Sequence, residues 1–166
     1  MLQLALAVAL THPTDQALAT WFGRGRCTPA ATTGAPFARN PDEGIVGSLP
    51  ASVARWQSGV RYWYDARHGL AESVSDESGG LDVIRAIGAP PATTPTADLG
   101  KIATTSGVRI GSPAATVVRL LGKPKAVTLC GAVHYVYLVD KGVGGNPLEF
   151  TIRNGRVVEI LRYFGD

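Results

Sequence analysis

The chain has 166 residues, of which 45% are hydrophobic and 17% charged, and it carries a net charge of +3. That length fits one domain, or two small repeats sharing a core, and the apolar content excludes wholesale disorder. No apolar run reaches the ~18 residues that a membrane-spanning helix needs. The basic residues are scattered rather than clustered, so no nucleic-acid stripe is indicated.

Residues 1–10, MLQLALAVAL, have the length of a signal-peptide apolar core, and Ala17-Leu18-Ala19 supplies an A-x-A pattern behind it. The first basic residue is Arg24, so the usual basic start is missing; the competing reading is an apolar segment that docks on the fold. The balance points to export, to the periplasm, envelope or outside. Cys27 follows Gly25-Arg26 rather than a small apolar lipobox, which argues against a lipid anchor. Cys27 and Cys130 are the two cysteines. In an oxidising compartment they pair; in a reducing one they are small apolar side chains. Residues 28–50 are rich in Pro, Gly, Ala and Thr and read as a connecting arm, so residues 1–50 form an N-terminal apolar segment plus arm.

Residues 51–100 read as a first, degenerate repeat. Val60–Asp65 alternates aromatic and β-branched residues and predicts a strand; weaker strands follow at residues 70–76 and 81–87, giving a three-stranded meander. Residues 88–100, with Ala89-Pro90-Pro91 and Thr94-Pro95, form a linker. Residues 101–166 read as a second repeat. Ser112 predicts an N-cap and Pro113 a first helical position for a helix over residues 113–121, which Gly122 and Pro124 end. Strands are expected at residues 126–130, 133–139, 148–153 and 156–164, with Asn154-Gly155 as a type I′ turn. The predicted class is α+β: antiparallel meander sheets with a short helix on one face, in a degenerate tandem repeat. The alignment of Val60-Arg61-Tyr62-Trp63-Tyr64 with Val133-His134-Tyr135-Val136-Tyr137 carries the repeat, and residues 50–56 stand where its first helix belongs.

The segment Gly107-Val108-Arg109-Ile110-Gly111-Ser112-Pro113, then Val117-Val118 and Leu121-Gly122-Lys123-Pro124, resembles the opening of a BamE-like (SmpA/OmlA) unit. Tyr135-x-Tyr137, Leu148-x-Phe150 and Gly155-Arg156-Val157-x-x-Ile160 fit its closing strands. Doubled, the unit resembles the β-lactamase inhibitory protein. The resemblance covers residues 105–164 and implies an envelope or secreted protein that binds other proteins; the chain lacks the lipobox of the lipoprotein members.

No catalytic or metal-ligand spacing stands out. His12, His68 and His134 are far apart in sequence, and no cofactor or metal is indicated. Cys130 and His134 form an imaginable nucleophile pair, and Asp65 with Glu72 or Asp140 with Glu149 imaginable carboxylate pairs. Gly142-Val143-Gly144-Gly145 imitates a phosphate loop but precedes a strand, not a helix. Period-two sorting places Val133, Tyr135, Tyr137 and Val139 with Leu148, Phe150 and Ile152 under the helix. It leaves an outward set of Arg61, Trp63, His134, Val136 and Arg153 as a candidate binding face. The expected function is a non-catalytic exported or envelope-associated module, inhibitor-like in style, that docks a protein partner on that face. The alternatives are a structural subunit held by its N-terminal arm, and a small hydrolase or ligand-binding enzyme using Cys130 and His134.

Overall fold

A computed structural model gives the fold over residues 13–27, 30–40, 42–46, 60–75, 81–92, 94, 96–139 and 145–163. The elements in chain order are α1 (Pro13–Gly23), β1 (Ile45–Val46), β2 (Val60–Asp65), β3 (Leu70–Ser75), β4 (Leu81–Ala86), a 3-10 turn (Leu99–Lys101), β5 (Ala103–Thr104), α2 (Ala114–Leu121), β6 (Lys125–Leu129), β7 (Ala132–Val139), β8 (Asn146–Arg153) and β9 (Arg156–Tyr163). Seven strands form one antiparallel sheet in the order β2-β3-β4-β9-β8-β7-β6, and β1 and β5 form a small second sheet. The class is α+β. Two meanders abut through their last strands, because β4 pairs with β9.

Turn chemistry sets the register. Asn154 (φ 50°) and Gly155 (φ 72°) both have positive φ, as a two-residue type I′ turn requires. Cys130 (φ 48°) and Gly131 (φ 70°) repeat that conformation between β6 and β7, which places Cys130 at the tip of a tight hairpin. The helix starts one residue later than the sequence suggests. Ser112 does not cap it, because its hydroxyl oxygen accepts the Arg109 N–H at 2.9 Å and closes the preceding turn. Pro113 is extended (φ −60°, ψ 143°) and holds the cap position, bridged to Arg156. Gly122, at φ 96°, ends the helix where a β-carbon is disfavoured.

Cross-strand pairing sorts the sheet into two faces. Trp63, Glu72, Ile84, Ile160, Phe150 and Tyr135 lie in one row, on the α2 side. There Val117 and Leu121 of α2 pack with Leu99, Val108, Tyr137, Leu148, Phe150 and Ile160, and the expected apolar set does lie under the helix. On the opposite side, Leu18, Trp21 and Phe22 of α1 pack on Ala71, Val83 and Leu161. The arm joins this side at Ala30, whose N–H donates to Glu149 Oε2 at 3.1 Å, and then runs along the edge of β7, where Ala38 N–H donates to Leu138 O at 2.9 Å and Leu138 N–H to Pro36 O at 2.8 Å.

These contacts correct the expected outward face. Trp63 is only 2% exposed and His134 only 4%. They also stand on opposite faces, Trp63 toward α2 and His134 toward the arm, so they share no surface. The reason is that α1 and the arm cover the side that the sequence pattern leaves bare. Arg61, exposed, keeps company with Trp63 on its strand face, and Val136 is fully buried. The residues aligned in the repeat, Trp63 and Val136, therefore face different ways. The pattern Ala17-Leu18-Ala19 lies inside α1, where Leu18 is in the core. The apolar run at residues 1–10 and the expected helix at residues 50–56 lie outside the described residues. Among the described residues, no helix is long and apolar enough to cross a membrane.

Candidate functional site

One polar row crosses the arm-side face of the sheet. His134 on β7, Thr151 on β8, Glu159 on β9 and Arg85 on β4 are consecutive cross-strand partners. Sheet pairing brings them within reach although they span both halves of the chain. A β-bulge sharpens the arrangement. Ile152 pairs with Val157 and Thr151 with Glu159, so Val158 is an extra residue on β9. Val158 and Glu159 both line the cavity beside the row, whereas Val157 packs in the α2-side core.

The cavity is about 170 Å³ and is lined by Gly25, Arg26, Cys27, Arg85, Ala86, His134, Thr151, Arg153, Val158 and Glu159. Gly25, Ala86 and Arg153 are exposed at its mouth; His134, Thr151 and Glu159 are buried at its base. A Cys27–Cys130 disulfide, with α-carbons 6.5 Å apart, fixes the chain beside it.

Two carboxylates, Glu159 and Glu149, organise the base. Arg26 Nε donates to both Glu159 oxygens, at 3.1 and 3.0 Å, and Arg85 Nε lies 3.4 Å from Glu159 Oε2. Both guanidiniums also sit 5.7 Å from the centre of the Phe22 ring, and Arg85 donates to the Phe22 carbonyl. Burial lowers the Arg85 pKa; Glu159 opposes that shift, while the positive charges of Arg26 and Arg153 add to it. The second carboxylate, Glu149, meets His134 Nδ1 through Oε1, both side chains 5% exposed. Glu149 Oε2 accepts the Ala30 N–H at 3.1 Å, and Thr151 Oγ1 lies 3.4 Å from His134 Nδ1. Burial raises the Glu149 pKa, and the neighbouring Glu159 pushes the same way, against His134 and the Ala30 amide. With Nδ1 against Glu149, the other ring nitrogen, Nε2, is buried with no hydrogen-bond partner among the described residues.

The structure thus brings His134, Arg153 and Cys27 of the sequence-derived set together around one cavity, with Cys130 bonded to Cys27 beside it, and puts Arg61 and Trp63 on the other face. Arg26, Arg85 and Glu159 were not singled out by sequence reasoning, and Glu149 was paired there with Asp140 rather than with His134. The one available signal was period two, which sets Glu149, Thr151 and Arg153 on the His134 side.

Cys130 is bonded to Cys27, so it offers no thiolate and the Cys130/His134 nucleophile pair is withdrawn. His134 pairs with Glu149 instead; Asp140 and the glycines 142–144 lie outside the described residues. Asp65, His68 and Asp98 lie close enough to suggest a cation site. Asp65, however, is already occupied by its own chain. It accepts N–H groups from Arg67, His68, Leu99 and Gly100 at 2.9–3.3 Å, and His68 Nδ1 lies 2.6 Å from it. Burial raises its pKa, but the His68 and backbone hydrogen bonds outweigh that and hold it low. Asp98 pairs with Lys101 at 3.1 Å. This cluster fastens the turn after β2 to the 3-10 turn. Glu72 does not act with Asp65. Its nearest acidic neighbour is Asp82 on β4, and together they form a buried carboxyl pair in the α2-side face.

In comparisons with known proteins, no family model matches the chain, and no match is found among curated proteins or solved structures.

Proposed function

We propose that the chain is a non-catalytic, exported binding module that engages a protein partner across the mouth of this cavity. The observation that carries the reading is a cavity lined by Arg26, Arg85 and Arg153, whose rim presents the exposed Arg153. The surroundings are rigid, because strand pairing and a disulfide hold every lining segment, and preorganised sites lose less entropy on binding. A Cys27–Cys130 bond fits an oxidising compartment, which supports export. The resemblance of residues 105–164 to BamE-like units adds the same class of work. A subunit held by its N-terminal arm has less support, since arm residues 30–38 bind back to their own chain through Ala30, Pro36 and Ala38.

The test is capture of partners by the full chain from its own cells, with Arg153→Glu and Val60→Glu as matched baits. Val60 is exposed on β2, at the far edge of the sheet. The reading requires a stoichiometric protein that Val60→Glu retains and Arg153→Glu loses. Retention by both baits, or no stoichiometric protein with any bait, overturns it.

A further inference from the structure

Resting on that reading, we infer that the group the cavity accepts is a carboxylate, presented by an acidic side chain of the partner polypeptide. Three arginines, Arg26, Arg85 and Arg153, line the cavity against the single acidic residue Glu159. The second carboxylate nearby, Glu149, lies on the far side of the imidazole, bonded to His134 Nδ1. The local charge is therefore positive before the histidine is counted. His134 lines the same cavity, its ring held in place by the Nδ1 contact with Glu149. Thr151, with its hydroxyl beside the ring, adds a polar wall. At about 170 Å³ the space exceeds the roughly 150 Å³ of an engineered cavity that admits benzene, so a side-chain carboxylate with its methylenes fits. Guanidinium donors bind carboxylates through charge-assisted, often bidentate hydrogen bonds.

The experiment titrates the full, disulfide-bonded chain, labelled with ¹⁵N-histidine, with N-acetyl-glutamate N-methylamide and separately with its glutamine counterpart. The expected result is a saturable shift of the His134 Nε2 resonance with the glutamate compound alone. Arg153→Gln, an exposed substitution, weakens that binding about tenfold, the loss of one charged hydrogen bond. A saturable shift with both compounds, no shift with either, or an affinity unchanged in Arg153→Gln overturns the inference. Failure here, with a captured partner still sensitive to Arg153→Glu, leaves the docking surface standing and removes the carboxylate. The reverse pattern, a glutamate-specific shift without any captured partner, keeps the pocket chemistry and removes the protein partner.

Discussion

Arg26 grips Glu159 through both carboxylate oxygens, one residue before the cysteine that is bonded to Cys130. The covalent link and the ion pair therefore act on the same short stretch of chain. The disulfide holds the arm at the tip of the β6–β7 hairpin, and the guanidinium holds it on β9.

That coupling makes the disulfide a structural bond. The paired substitution Cys27→Ser with Cys130→Ser lowers stability by about 2–5 kcal/mol, the range for a native bridge across a long loop. Urea denaturation of oxidised, reduced and doubly substituted chains checks it. Equal midpoints for all three contradict the role.

Glu159→Gln leaves Arg26 and Arg85 facing each other without the carboxylate that joins them. Both guanidiniums are partly exposed, so the cost is below that of a fully buried pair, about 2 kcal/mol. Thermal unfolding at low and high salt measures it, and a variant as stable as the parent removes Glu159 as the organiser of the cavity.

Trp63→Ala probes the other face. At 2% exposure, its loss opens a large void beside Glu72 and Ile84, and the expected destabilisation is about 3–5 kcal/mol. Binding through the cavity is unchanged at temperatures where the variant is folded. A loss of partner affinity with unchanged stability contradicts the burial of Trp63.

The buried carboxyls Glu72 and Asp82 give stability a pH dependence. Burial, and then the Asp82 charge, push the Glu72 pKa up to about 9 from an ordinary 4.5. Burial pushes Asp82 up to about 6 from 3.8. In both cases the folded state holds its proton more tightly than the unfolded state. Stability is therefore full below the ordinary pKa values and falls as pH rises, through about 6 for Asp82 and about 9 for Glu72. Melting temperature is expected to drop steadily between pH 5 and pH 9. Glu72→Gln, which carries no charge, flattens the profile and stabilises the chain at pH 8 by about 2 kcal/mol. A melting temperature that rises over this interval reverses the sign and contradicts the account.

Local patterning carried most of the strand order. Val60–Asp65 alternates cleanly, Asn154-Gly155 fixes one hairpin, and Gly122 with Pro124 ends the helix, all through contacts within a few residues. Three features stayed hidden. The hairpin at Cys130-Gly131 takes a left-handed turn at a residue type that gives no such signal. The bulge at Val158 breaks period two within β9, and it is what puts Glu159 beside Arg85 and Thr151. Which sheet face lies bare depended on where α1 and the arm pack. An alternating strand reads the same whether its polar side meets water or a second layer, and this sheet is covered on both sides. The candidate site followed suit: His134 and Arg153 were legible as neighbours on one face, but Arg26 and Arg85 reach them only through the folded arm and the β4–β9 pairing.

The most direct measurement of the docking surface is site-specific photo-crosslinking in the protein's own cells. A photoreactive residue is placed at position 153, at the cavity mouth, and in a second experiment at position 60, on the far edge. The account predicts one dominant crosslinked protein from position 153 and none from position 60. Crosslinking from position 60 alone, or to the same protein with equal yield from both positions, contradicts it.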